Sequence, residues 1–352
     1  MNNGISLIAL AEQIEASRAL KHDMIVPANR VRVESQSDGV VALDVPGQGT
    51  FPILPIAHGQ LAEYADIPRR YYDRMRAHDP ELLANNVNRW LQDKRNDKRM
   101  IRTLGGDTRA WLSNRYARVE NEEIAEVVLP ILQEIPGIRI VSTQLTDRRM
   151  YLQAVTEEGC RVVRGSRRVG DIVQRGVAIS NSEVGLGSVQ VAPLCFYLAC
   201  LNGAIASDNR LRAYHVGRAS EDTAALLADD TRAAEDKAIL LKVRDYVKAA
   251  LDQTSFDARI ERMSALTEKR LEGDPSAAIE VLSKKVGATE SEKTGILRSL
   301  IEGGDLSAWG FVNAVTVQAH AADYDRSVEL EQAGGTLLEL SAKEWREVLT
   351  AV

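Results

Sequence analysis

An α+β fold is predicted, an antiparallel sheet meander with packed helices followed by a mostly helical C-terminal region. Three observations carry the prediction. Strand-like apolar runs with short connectors fill residues 99–205, segments with apolar residues at helical spacing interrupt or precede them at 60–95 and 121–134, and strand-like runs largely stop beyond residue 218. With 352 residues, 45% hydrophobic and 27% charged, the chain is able to bury its own core and stands apart from disordered sequences. The expected division is an N-terminal helix with short strands over 1–60, an α+β core over 61–218 and an acidic helical region over 219–352.

In chain order, Ile5 to Leu20 has the spacing of a short helix. "MIVPANRVRVES", "VVALDV" and "TFPILP" read as strands, broken at Asn29, "QSDG" and "PGQG". Residues 60–95 read as two or three helices, with Pro68 and Asp79-Pro80 at their starts. A hairpin over 99–119 turns at Gly105-Gly106. Asn121 is the expected cap of a helix that ends at Pro136-Gly137. Strands follow to about residue 205. The region after 218 reads as one long helix to about 250, then helices near 255–271, 275–285, 289–301 and 305–332, with Gly303-Gly304 and Gly334-Gly335 as stops.

The net charge of −6 is uneven: residues 1–218 carry 28 Lys and Arg against 25 Asp and Glu, residues 219–352 carry 16 against 25. Only Lys21, Lys94 and Lys98 are lysines in the front part. Arginine suits bidentate contact with phosphates and stacking on flat groups, although a GC-rich coding sequence produces the same bias. No apolar run approaches the ~20 residues that a bilayer helix needs. The start lacks the pattern of a secretory signal. With Cys160, Cys195 and Cys200 as sparse free thiols, a cytoplasmic protein without membrane contact is expected.

The five histidines lack the spacing of a metal-ligand set, so neither metal nor cofactor is expected. "GVAISNSEVGLGS" at 176–188 is the most unusual segment. A dinucleotide loop would need a helix opening after its glycines, whereas "SVQVAPLCF" continues as strand. Two readings remain: Asn181, Ser182 and Glu183 satisfy backbone groups at a bulged strand end that turns through Gly185 and Gly187, or they form a ligand-facing edge. Acid–base work by Glu183 would require Asp171 or His215 beside it. The basic segments point to nucleic acid: Arg69, Arg70, Arg74 and Arg76; Lys94, Arg95, Lys98 and Arg99; and Arg161, Arg164, Arg167 and Arg168. Tyr71, Tyr72, Trp90 and Trp111 lie nearby, as base stacking on a single strand requires. Asp73, Asp93 and Asp97 dilute the first two groups; the 161–168 run carries no acid of its own.

"RAWLSNRYARVENEEIAEVVLPIL", "GVAISNSEVGLGSVQVAPLCFYLACLNGAI" and "YHVGR" resemble the phage/plasmid-like family called domain of unknown function 932, over about 60–220, and "WGFVNAVTVQAHAADYDRSVELEQAGG" is similar to that family's C-terminal end. The matching positions are Arg115-Tyr116, Asn181 to Gly185, Cys200 to Asn202-Gly203, and His215 to Arg218. Ala204 departs from the pattern, which has a larger apolar residue there. The resemblance implies a mobile-element protein acting around DNA, and it supplies no catalytic residues. The expected function is therefore single-stranded DNA binding or annealing in recombination or replication by a homo-oligomer. A host protein bound through the acidic tail is one alternative, and an enzyme using Glu183 and His215 is another.

Overall fold

The computed structural model describes residues 4–95, 97–166, 171–199, 201–208, 210–213 and 229–352. Its N-terminal part holds helix α1 (Leu7–Arg18), strands β1 (Lys21–Pro27), β2 (Arg32–Ser35), β3 (Val41–Val45) and β4 (Gly49–Pro52), helices α2 (Pro55–Tyr64), α3 (Arg69–His78) and α4 (Pro80–Gln92), and the hairpin β5 (Lys98–Leu104) and β6 (Asp107–Ser113). Two three-stranded antiparallel sheets result, in orders β1-β5-β6 and β2-β3-β4. The "MIVPANRVRVES" run thus divides between them, at a 3-10 turn over Ala28–Arg30. The outer edge of β2 is closed by a side chain: Asn88 Oδ1 accepts from Val33 N at 2.7 Å, and Asn88 Nδ2 donates to Val33 O at 2.8 Å. Such pairing satisfies groups that an open strand edge leaves exposed.

Helix α5 (Asn121–Gln133) leads into the large sheet, built from β7 (Ile138–Leu145), β8 (Met150–Val162), β9 (Ile172–Asn181), β10 (Val189–Tyr197) and β11 (Asn202–Ile205). The sheet order is β11-β10-β9-β8-β7, antiparallel throughout, and β12 (Leu211–Ala213) also pairs with β10. Leu152, Val177, Ile179 and Val191 pack against Leu10 and Ile14 of α1, Ile124 and Val128 of α5, and Val243 and Val247 of α6 (Asp229–Ala250). The meander with helices packed on it is the predicted α+β architecture.

The remaining helices are α7 (Gln253–Thr267), α8 (Pro275–Val286), α9 (Glu290–Gly303), α10 (Ala308–Val317), α11 (Tyr324–Leu338) and α12 (Ala342–Leu349). No helix among the described residues is long and apolar enough to cross a membrane. The expected single helix over 305–332 is two, α10 and α11, with a 3-10 turn at Gln318–His320 after the first. Gly304 ends α9 in the left-handed conformation, as expected (φ 62). Gly334-Gly335 does not end a helix. Both lie inside α11, where a Cβ on Gly335 would overlap the Ile205 carbonyl of β11. These glycines allow close packing of helix on strand. The acidic helical region also shares its core with the sheet: Val173, Cys195, Tyr197 and Ala204 pack with Phe256, Met263, Trp309 and Phe311. Ala204 is completely buried in that core.

Candidate functional site

The turn after β9 is buried, with Asn181 and Ser182 at 0% and Glu183 at 6% exposure. Asn181 Nδ2 donates to Val119 O at 3.0 Å and to Asn121 Oδ1 at 2.9 Å. Ser182 Oγ donates to Arg148 O at 2.8 Å and accepts from Leu186 N at 3.0 Å. Tyr116 Oη donates to Ser182 O at 2.6 Å, and Gln60 Nε2 of α2 donates to Val184 O at 2.7 Å. Gly185 has φ 76, and a Cβ there would collide with the Leu112 side chain. The side chains of Asn181, Ser182 and Glu183 thus each satisfy a backbone group at the strand end, and the register of β9 with β8 and β10 is regular at that end, up to Asn181 and Ser180. The same segment is met by the chain's own β1, β5 and β6, whose Lys21, Arg102 and Arg109 bond to Glu183.

Glu183 Oε1 accepts from Lys21 Nζ at 2.7 Å and from the Asn121 backbone N–H at 2.8 Å, while Oε2 accepts from Arg109 Nη1 at 2.7 Å. Its main-chain oxygen accepts from Arg102 Nη1 at 2.8 Å. Arg102, 1% exposed, also donates to Asp23 Oδ1 at 2.9 Å and to Glu120. Lys21 Nζ further donates to Glu120 Oε2 at 3.0 Å and Glu122 Oε2 at 2.7 Å. The cluster thus joins strands β1, β5 and β6 to the end of the large sheet and the start of α5. Asn121 was expected to cap α5; Glu120 is the cap residue instead, with its N–H bonded to Glu123 Oε2 at 2.9 Å. Asn121 is the first helical residue, and its N–H is satisfied at long range by Glu183.

Burial alone would raise the Glu183 pKa, but the Lys21 and Arg109 charges outweigh it and hold the carboxyl down at about 2. Burial would likewise lower the Lys21 pKa, and the Glu183 and Glu120 carboxylates reverse this and raise it. A carboxylate held ionised and enclosed is ill suited to proton transfer near neutral pH. Asp171, one partner considered for it, is instead bonded to Trp309 Nε1 at 3.0 Å and Ser166 Oγ at 2.8 Å. Because the folded pKa lies below the ordinary 4.5, the stability that ionised Glu183 contributes is complete above about pH 4.5 and is lost as pH falls towards about 2. The urea midpoint is expected to drop in that window, with a shallower drop in Glu183→Gln.

Carboxylate oxygens of Glu120, Glu122 and Glu183 lie within 4.8 Å of one another, a grouping that would suit a metal ion. The Lys21 ammonium bonds to all three, so the protein supplies the cation itself. Sequence reasoning missed Lys21, Asp23, Arg102, Arg109 and Glu120. One signal was present: Asp23 and Arg102 are opposite charges on adjacent strands, and they stand directly across from each other in the β1–β5 register.

The other predicted residues are dispersed. Asn202 and Gly203 lie on β11 opposite Tyr197 and Phe196, and Tyr197 pairs with Val173, at the far end of β9 from Asn181. Asn202 Nδ2 donates to Thr316 Oγ1 at 2.8 Å. Gly187 has φ 156 and faces the Arg149 guanidinium. His215, Arg218, Arg167, Arg168 and Cys200 lie outside the described residues. Cys195 is buried, which pushes its thiol up to about 12.

On α3, Arg69 pairs with Asp73 at 2.6 Å, and Arg76 lies 3.7 Å from the same carboxylate. Arg70 and Arg74 are exposed, and neither has a carboxylate within 4.0 Å among the described residues. Lys94 and Arg99 lie over the Tyr64 ring, 5.5 and 4.4 Å from its centroid, while Arg95 and Lys98 are exposed. Of the aromatic residues proposed to stack on bases, Tyr72 and Trp111 are core residues at 0% and 1% exposure. Tyr71 and Trp90, at 47% and 48%, are open. The 161–168 run is opposed by acids from another element: Arg161 Nε is 3.0 Å from Asp257 and Arg164 Nη2 is 3.7 Å from Glu261, both on α7. Ser264 and Thr267 of α7 also bond the Arg164 backbone.

Residues 110–337 match the family described as Domain of unknown function (DUF932). The chain belongs to the DUF932 family. The match begins at 110 rather than near 60 and runs through the helical region to 337, consistent with the core that this region shares with the sheet. Within the charge cluster, the DUF932 segment contributes Glu120, Asn121, Glu122 and Glu183; Lys21, Asp23, Arg102 and Arg109 come from the residues before it. No curated protein and no solved structure matched the chain.

Proposed function

We propose that this DUF932 protein binds single-stranded nucleic acid, without metal or cofactor, as an accessory protein of a mobile element in recombination or replication. The observation that carries the reading is the outer face of α3. Arg70 and Arg74 stand one helical turn apart with no acidic partner among the described residues, and Tyr71 between them is exposed. Trp90 is exposed on α4, the next helix, which packs against α3. Arginines free to meet phosphates beside open aromatic faces are what a sequence-tolerant single-strand surface needs. The arginines of 161–164 support the reading less, because they face Asp257 and Glu261.

The test is fluorescence anisotropy of a labelled single-stranded oligonucleotide titrated with the full chain at several salt concentrations. Binding is expected to weaken as salt rises. Arg70→Ala with Arg74→Ala should reduce the logarithmic salt slope by about 1.4, roughly 0.7 for each phosphate of a single strand no longer neutralised. Tyr71→Ala is expected to cost about 1–3 kcal/mol of affinity, the worth of one stacked base. Absence of binding at low salt would remove the proposal.

A further inference from the structure

Glu331 on α11 is fully buried, at 0% exposure. Its Oε2 accepts from Gln153 Nε2 of β8 at 2.7 Å. Glu331 Oε1 and Gln153 Oε1 are both buried, and among the described residues neither has a hydrogen-bond partner. Two facing groups, already joined by one hydrogen bond, therefore each keep one unused acceptor. With an ionised carboxylate at 331 both oxygens would be desolvated and unsatisfied, a costly state for a carbonyl and more so for a charged group. A single proton resolves both.

We propose that Glu331 in the folded protein keeps its proton above the pH range in which a free carboxyl ionises and forms a cyclic acid–amide pair with Gln153: the Glu331 Oε1 hydroxyl donates to Gln153 Oε1 while Gln153 Nε2 donates to Glu331 Oε2. The pair clamps α11 onto β8, and the clamp opens when the proton leaves. The surroundings support the protonated form. On α11 itself, Asp325 accepts from Tyr151 Oη at 2.6 Å and Tyr324 shares a hydrogen bond with Ser142. Arg326 is committed to Glu292 of α9 and to Glu329. Burial pushes the phenols of Tyr151 and Tyr324 well above their ordinary range, so both stay neutral. From β9 and β10 the nearby polar groups are Ser180 and Gln190, which with Gln153 and Gln332 line a cavity of about 10 Å³. Among the described residues no Lys or Arg pairs with Glu331. Burial raises its pKa to about 7, against the opposing pull of the Gln153 bond.

The sign of the pH effect follows. Below the ordinary value of 4.5 Glu331 is neutral whether the chain is folded or unfolded. Between about 4.5 and about 7 the unfolded chain releases the proton and the folded chain keeps it, so stability falls as pH rises through this window and then levels off. Glu331→Gln preserves the ring, with the new amide donating to Gln153 Oε1, and removes the titration.

Thermal unfolding of the full chain and of Glu331→Gln between pH 5 and pH 8.5 tests this. The wild-type Tm is expected to fall relative to the variant by roughly 3–6 °C across the range. Infrared spectroscopy of the wild type at pH 6 provides a readout that does not depend on the variant folding: a protonated carboxylic C=O stretch should be present and should disappear at pH 9. A constant Tm difference, or no carboxylic band at pH 6, would overturn the proposal. The second result would mean an ionised Glu331.

Discussion

Replacing Arg102 with leucine is expected to destabilise the protein by about 3–5 kcal/mol, the cost of removing one partner from a buried ion cluster. The guanidinium is 1% exposed and, among the described residues, is the only group that links Asp23, the Glu120 side chain and the Glu183 carbonyl. Without it, Glu120 keeps only Lys21 and Asp23 only Arg118, 3.9 Å away, against their desolvation, while the Glu183 carbonyl loses a donor. Lys21 cannot compensate, because its ammonium already bonds three carboxylates. The measurement is the urea midpoint at pH 7. Adding Glu120→Gln to Arg102→Leu should recover part of the loss, since it removes a carboxylate that Lys21 alone would then offset, and a double-mutant cycle gives the coupling. Equal midpoints for wild type and Arg102→Leu would show that the cluster contributes no net stability.

Gly335→Ala is the second large effect, and its direction opposes helix propensity. In an open helix interior, alanine in place of glycine stabilises by roughly 0.5–1 kcal/mol. At Gly335 the added Cβ overlaps the backbone of Ile205 at the end of β11 and crowds that of Ala206 just after it, and backbone cannot rotate away. Helix α11 must retreat from the sheet, at a cost of about 1–3 kcal/mol or more. Gly334→Ala provides the contrast. Its nearest obstacle is the Thr316 side-chain methyl rather than backbone; moving it strains the buried Thr316 bond to Asn202, a smaller loss than displacing helix from strand. Thermal unfolding of the two variants ranks them, and a Gly334→Ala loss exceeding that of Gly335→Ala would contradict this account.

Local patterns were legible where one element satisfies its own requirements. The hairpin over β5 and β6 turns where Gly105-Gly106 predicts, with φ of 61 and 97. The β9–β10 return around Gly185 and Gly187 is also as expected, because positive φ is a property of the residue itself. Expectations failed where a remote group takes over a local role. Asn121 has the composition of a helix cap, yet Glu183, 62 residues away, accepts its N–H. Gly334-Gly335 has the composition of a stop, yet it is a contact surface for β11. The 161–168 run carries no acid of its own in sequence, and the acids that face it come from α7, about a hundred residues later.

Periodicity, turn residues and family motifs were enough to establish an α+β chain with a DUF932 segment, and to single out residues 181–187 as unusual. They could not disclose the role of that segment, because hydropathy spacing reports which face of an element is buried and carries no information about which distant charge meets it there. Lys21, Arg102 and Arg109 read as ordinary polar residues along the chain. Folding brings them to Glu183 within hydrogen-bonding distance. In that low-dielectric position each charge is tolerable only because the others are present.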